Sequence, residues 1–241
     1  IKPAYVTANF MIGAAINRLF EIVDNLQKET MVANNPQNMT YKAIIHKIVD
    51  IVFTQNNYTS IGQLVDLSNP DSNPDSNPDS KCNSNMLYNN SVIINIKKNT
   101  FITDFLHTAT KTTAKDTTDK ILSLSLKTYP LFYLSFQLPL LVSNIPYDID
   151  LKKIEHIAFT FSLLFQIADD FEDYEKDLKT YKNNSFIKIL DKELAYDLYT
   201  RSVHEFTVLL KTLPKLDLDI FKYIVQMLDK KINSYHNHEQ N

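Results

Sequence analysis

Asp169, Asp170 and Asp173 stand at the end of a long apolar run, in the segment Phe165-Gln166-Ile167-Ala168-Asp169-Asp170-Phe171-Glu172-Asp173. Upstream, Ile157 to Ala168 is apolar on most helical faces, so it reads as a buried central helix. If that helix continues, Asp169, Asp173 and Asp177 stack on one side at four-residue spacing, with Asp170 beside them. Like charges at that spacing repel, and the negative end of the helix macrodipole adds to the cost. Nearby only Lys176, Lys179 and Lys182 offset this. A divalent cation would offset it better. Carboxylate oxygens suit magnesium, which commonly takes one or two of them plus substrate phosphates. The competing reading of such a run is a solvated acidic helix end. The abrupt passage from a greasy helix into Asp-Asp-x-x-Asp favours the metal. Gln166 adds to this, because an amide inside an apolar helix needs a partner or costs roughly 1–3 kcal/mol.

The elements that must position these groups are helices. Apolar residues recur at three- and four-residue spacing through most of the chain. The spacing predicts helices over 4–26, 41–67, 100–115, 117–143, 151–177, 186–211 and 216–234, an all-α bundle. Pro130 falls inside the fourth and predicts a kink, since it cannot donate to the carbonyl of Leu126. Residues 68–91 read as a low-complexity surface insertion, centred on three copies of Asn-Pro-Asp-Ser between Asn69 and Ser80. The whole chain, 1–241, reads as a single all-α domain with this insertion inside it. His46, His107 and His156 have no recognisable ligand spacing and read as structural or exposed.

Composition excludes several classes. The chain has 241 residues, 44% of them hydrophobic, which suffices for a packed core. A net charge of −3 gives no electrostatic footprint for nucleic acid. Gly13 and Gly62 are its two glycines, too few for a Rossmann fingerprint or a P-loop. The lone Cys82 can form no internal disulfide, which fits a reducing compartment, and a cytoplasmic location is expected. No apolar run is long enough to span a bilayer, so no integral membrane protein is expected.

Several segments, in order, resemble trans-isoprenyl diphosphate synthases, and farnesyl diphosphate synthases in particular. Phe165 to Asp173 resembles the second aspartate-rich motif, FQxxDDxxD. Lys127-Thr128, followed by Phe136-Gln137-Leu138-Pro139, resembles the lysine-threonine helix. Gly62-Gln63-Leu64-Val65-Asp66-Leu67 resembles the GQxxDL segment, and Ala8 to Leu19 an AxNDAFxLEAAIxxL helix. Together they cover about residues 1 to 190. The resemblance implies an all-α isoprenoid synthase bundle around a central apolar cavity. It implies magnesium, isopentenyl diphosphate and an allylic diphosphate (dimethylallyl, geranyl or farnesyl) as ligands. The implied product is a short-chain farnesyl or geranylgeranyl diphosphate, and the implied assembly a homodimer.

Carried over by position, the resemblance makes Asp169 and Asp173 magnesium ligands, assisted by Asp170, with Asp66 joining from a facing helix. Lys127 would hold diphosphate, and Lys182 stands for a later diphosphate-binding lysine. Thr128, through its hydroxyl or carbonyl, and Gln166 would lie near the developing cation or accept the departing proton. Gln63 would line the pocket. The family's first aspartate-rich motif and paired arginines would lie upstream of Ala8, before Ile1, so the chain is expected to lack the N-terminal part of that domain. The loop after Asp173 is shorter than in farnesyl synthases, and their basic C-terminal tail is not evident. Two alternatives stand beside the prenyltransferase: a non-catalytic or degenerate synthase-like subunit, and a terpene cyclase on the same fold.

Overall fold

The computed structural model describes Glu21 and residues 37–67, 98–110, 115–142, 150–179, 185–213 and 218–236. Of the described residues 90% are helical and none lies in a strand, which bears out the all-α expectation. The helices are α1 (Gln37–Leu67), α2 (Thr100–Thr110), α3 (Lys115–Ser125), α4 (Tyr129–Val142), α5 (Leu151–Lys179), α6 (Phe186–Leu190), α7 (Lys192–Leu210) and α8 (Asp219–His236). None of them is long and apolar enough to cross a membrane. The expected helix over 4–26 and the insertion over 68–91 lie outside the described residues, apart from the helical Glu21.

The backbone divides into two compact units, 1–52 and 53–241, with the boundary inside α1. The first unit is represented by Glu21 and the start of α1. The second holds the rest of α1 and the other described helices.

α5 is the axis of the second unit. It packs against α2, α3, α4, α6, α7 and α8. From Ile157 to Leu164 the only residue with any exposure is Phe161, at 4%. The apolar run predicts this: a helix greasy on all faces is stable only when surrounded. Each large apolar side chain buried there contributes about 1.5–3 kcal/mol. Its small polar residues do not interrupt the packing. Thr160 Oγ1 donates to the His156 carbonyl at 3.0 Å, and Ser162 Oγ to that of Phe159 at 2.8 Å. Their hydrogen bonds therefore stay inside the helix.

Phenylalanines lock the neighbours to this axis. Phe161 of α5 stacks on Phe206 of α7 at 4.6 Å and meets Phe132 of α4 edge-on at 4.9 Å. Phe136 of α4 stacks on Phe221 of α8 at 5.6 Å. Such pairs add about 0.5–1.5 kcal/mol beyond burial. α8 turns Leu228 and Ile232 inward. The Tyr199 hydroxyl of α7 donates to Asp229 of α8 at 2.7 Å, and burial together with that carboxylate pushes the phenol's pKa up.

Two expected helices are each divided. The segment 117–143 is not one kinked helix: α3 ends at Ser125, Leu126 to Thr128 form a turn, and α4 begins at Tyr129. Pro130 thus sits in the first turn of a new helix, where its missing N–H costs nothing. Pro139 is the proline that lies inside α4. The segment 186–211 breaks at Asp191, whose φ of 71° and ψ of 170° end α6, while its carboxylate accepts the Leu194 N–H at 2.8 Å and starts α7.

Candidate active site

The Leu126–Thr128 turn is where the segments converge. The Leu126 N–H bonds the Ser123 carbonyl at 3.3 Å, and the Thr128 N–H bonds that of Ser125 at 3.1 Å, tightening the end of α3. The Thr128 carbonyl accepts from Leu131 at 3.1 Å and Phe132 at 3.4 Å, opening α4. Of the two groups expected to act at Thr128, the carbonyl is therefore committed to the helix start, which leaves the hydroxyl. Lys127 is half-buried in the turn.

α1 meets this turn backbone to backbone at Gly62. A Cβ on Gly62 would stand 2.4 Å from the Lys127 nitrogen and 2.5 Å from the Leu126 carbonyl carbon. Only a residue without a side chain permits that approach. The glycine of the Gly-Gln-x-x-Asp-Leu segment therefore lies against the lysine of the Lys-Thr pair. Gln63 and Asp66 follow on α1, with side chains outside the described residues.

Gln166 reaches the same place from α5. It is 6% exposed, and its Nε2 donates to the Leu124 carbonyl at 2.9 Å, in the last turn of α3. Its carboxamide oxygen is buried without a hydrogen-bond partner, as is the hydroxyl of Ser123 next to Leu124. An orphaned buried acceptor is costly, and in a native fold it calls for an explanation such as a ligand.

The aspartates follow on the face that Gln166 begins, three, four and seven residues on. Asp169 is exposed and Asp173 half-buried. Asp170 is 9% exposed, and its Oδ2 accepts the Phe186 N–H at 2.6 Å at the entrance to α6. That N–H is one of the unsatisfied donors of a helix start, so a carboxylate is a strong cap. Ser185 caps the same helix through the Lys188 N–H at 3.2 Å. Glu172 pairs with Lys231 of α8, and Lys192 lies over the Tyr174 ring at 5.6 Å. Among the described residues no three His, Cys, Asp or Glu side chains form a ligating group. Asp169 and Asp173, one turn apart, fit an ion held by one or two carboxylates and completed by phosphate and water. Lys182 lies outside the described residues.

A second polar cluster escapes notice in the sequence. Glu155 of α5 accepts from the Tyr129 hydroxyl at 3.0 Å and from Asn99 Nδ2 at 2.9 Å. Asn99 also starts α2 through the Phe101 N–H at 3.2 Å. Burial raises the Glu155 pKa, partly offset by these two bonds. The Tyr133 phenol is pushed up to about 12 by burial and by Glu155. The partners stand 26 and 56 residues from Glu155, so no local pattern announces them. Of the three histidines singled out in the sequence, His46 and His107 are exposed, while His156 is buried against Phe101 and Phe105.

No protein-family model matches the chain, and no curated protein or solved structure is significantly similar to it.

Proposed function

We propose that the chain is a trans-prenyltransferase, joining isopentenyl diphosphate to an allylic diphosphate to form a short-chain isoprenyl diphosphate. The observation that carries this reading is the convergence of Gly62, the Lys127-Thr128 turn and Gln166. Three segments far apart in sequence, each resembling a synthase motif, meet at one helix break, with the Gln166 oxygen left orphaned there.

In this reaction the allylic C–O bond breaks and its electron pair leaves with diphosphate. The alkene of isopentenyl diphosphate then forms the new C–C bond, and a proton is lost to a neighbouring oxygen. Magnesium, when bound, supplies charge stabilisation to the departing diphosphate. Asp169 and Asp173 would hold it. Lys127 offers an ammonium to the same growing negative charge, which favours the transition state over the ground state. The Gln166 oxygen and the Thr128 hydroxyl turn negative dipole ends toward positive charge on the allyl carbon. Asp170 keeps a structural role, tying α5 to α6.

The test is consumption of radiolabelled isopentenyl diphosphate with each allylic primer in turn, with and without magnesium. Asp169→Ala is expected to lower turnover by about two orders of magnitude or more with unchanged helicity. Asp170→Ala should instead lower the melting temperature, because it strands the Phe186 N–H. Wild-type turnover in Asp169→Ala would remove the site assignment. A second reading, a non-catalytic synthase-like subunit, draws on the engagement of Asp170 with the backbone. It predicts no turnover in the chain alone and activity only with a partner synthase.

A further inference from the structure

α2 and α7 enclose a cleft of about 410 Å³, lined by Phe105, Thr108, Thr200, Arg201, His204 and Glu205. It shares no residue with the Gln166 face. Its volume is at the lower end for small-molecule sites, enough for a ligand of amino-acid size.

The charges in the cleft are unusual in what they do not do. Arg201 and Glu205 stand four residues apart on α7, the spacing at which opposite charges ordinarily pair. Here they form no ion pair. The Arg201 guanidinium turns to α2 and donates through Nη1 to the Thr108 carbonyl at 3.2 Å. That bond occupies one of its five N–H donors. Glu205 turns toward the protein, where its Oε1 lies 3.8 Å from His156 Nε2, too far for a hydrogen bond.

His156 is the second observation. It is 3% exposed and its Nε2 is buried without a hydrogen-bond partner. Its ring lies 5.8 Å from that of Phe105. The orphaned nitrogen thus stands behind two residues of the cleft wall, Phe105 and Glu205. Burial holds the imidazole neutral, with a pKa of about 4, so it does not neutralise Glu205.

We propose that this cleft binds a small zwitterion with an apolar body, of the α-amino-acid class. Its anionic group meets Arg201, its ammonium meets Glu205, and its apolar part lies on Phe105. A ligand of one charge alone leaves the other wall unmatched, and a neutral apolar ligand leaves both.

The test is titration of the full chain, followed through the imidazole resonances of His156 and His204, with four probes: L-leucine, L-phenylalanine, leucinamide and N-acetyl-leucine. The two zwitterions should give saturable shifts, and each single-charge probe should bind about tenfold more weakly, as expected for one lost ionic contact. Arg201→Gln should weaken L-leucine and N-acetyl-leucine but not leucinamide. Glu205→Gln should weaken L-leucine and leucinamide but not N-acetyl-leucine. Absence of saturable shifts up to probe solubility, or equal binding of all four probes, overturns the proposal. If a variant fails to fold, the four-probe comparison on the unaltered chain still decides.

Discussion

His156 shows how far burial alone can set a side chain's chemistry. Enclosed by α2 and α7 on the central helix, it is held near pKa 4 against an ordinary 6.5. Between those values the unfolded chain binds a proton that the folded chain refuses. The stabilisation is therefore complete above pH 6.5 and lost as pH falls toward 4, with a ceiling on the order of 3 kcal/mol. Glu155, one residue earlier, has a raised pKa and works in the opposite sense, favouring the fold as pH falls. A variant isolates the histidine. Melting temperatures at pH 7 and pH 5 should drop more steeply in the native chain than in His156→Phe, whose ring would pack with Phe101 and Phe105. Parallel drops would show that another group controls the acid limb. Asp169 and Asp170 make the complementary point: adjacent carboxylates on one helix have different fates, one exposed and one buried on the Phe186 N–H.

Two junctions between helices carry unequal strain. At Gly62 the backbone of α1 touches the turn between α3 and α4. Alanine gains about 1 kcal/mol of helix propensity there, but its Cβ would meet backbone atoms at 2.4–2.5 Å, and backbone cannot rotate away. Overpacking of this kind costs about 1–3 kcal/mol. Gly62→Ala should therefore lower the melting temperature and, under the proposed function, isopentenyl diphosphate turnover as well. An unchanged melting temperature would mean that the Gly62 contact does not hold α1 to the turn. Asp191 is the reverse case. Its φ of 71° lies where glycine is favoured, at a cost of about 1–3 kcal/mol for other residues. Its carboxylate recovers part of this by capping α7. Glycine relieves the strain and loses only a few tenths of a kcal/mol as a cap. Asp191→Gly should raise the melting temperature and Asp191→Ala lower it, compared by thermal unfolding.

The bundle around α5 brings distant segments together beside the middle of that helix, at Gln166. Gly62, Leu124 to Thr128 and Gln166 meet because α1 passes against the turn that follows α3, and α5 reaches the last turn of α3 through Gln166. The proposed prenyltransferase carries an expectation of a homodimer, drawn from the resemblance. Light scattering of the purified chain should give twice the 27.9 kDa mass of one copy. A monomer at all concentrations would count against that likeness while leaving the Asp169 test intact.

The helical class, the burial of Ile157 to Leu164 and the acidic end of that helix are all legible in the residues. Periodicity and composition are local properties, and a helix greasy on every face has one stable environment. The break at Leu126, the Pro130 start of α4 and the bend at Asp191 are not legible in the apolar spacing, which runs on through them; the bonds that close each are local, while Gln166 and Gly62, which meet the Leu126 break, come from far along the chain. The same holds for Asp170 and Glu155. Their partners, the Phe186 N–H, Tyr129 and Asn99, lie 16 to 56 residues away. Spacing along the chain places a carboxylate on a helix face, but packing between helices chooses what it meets there.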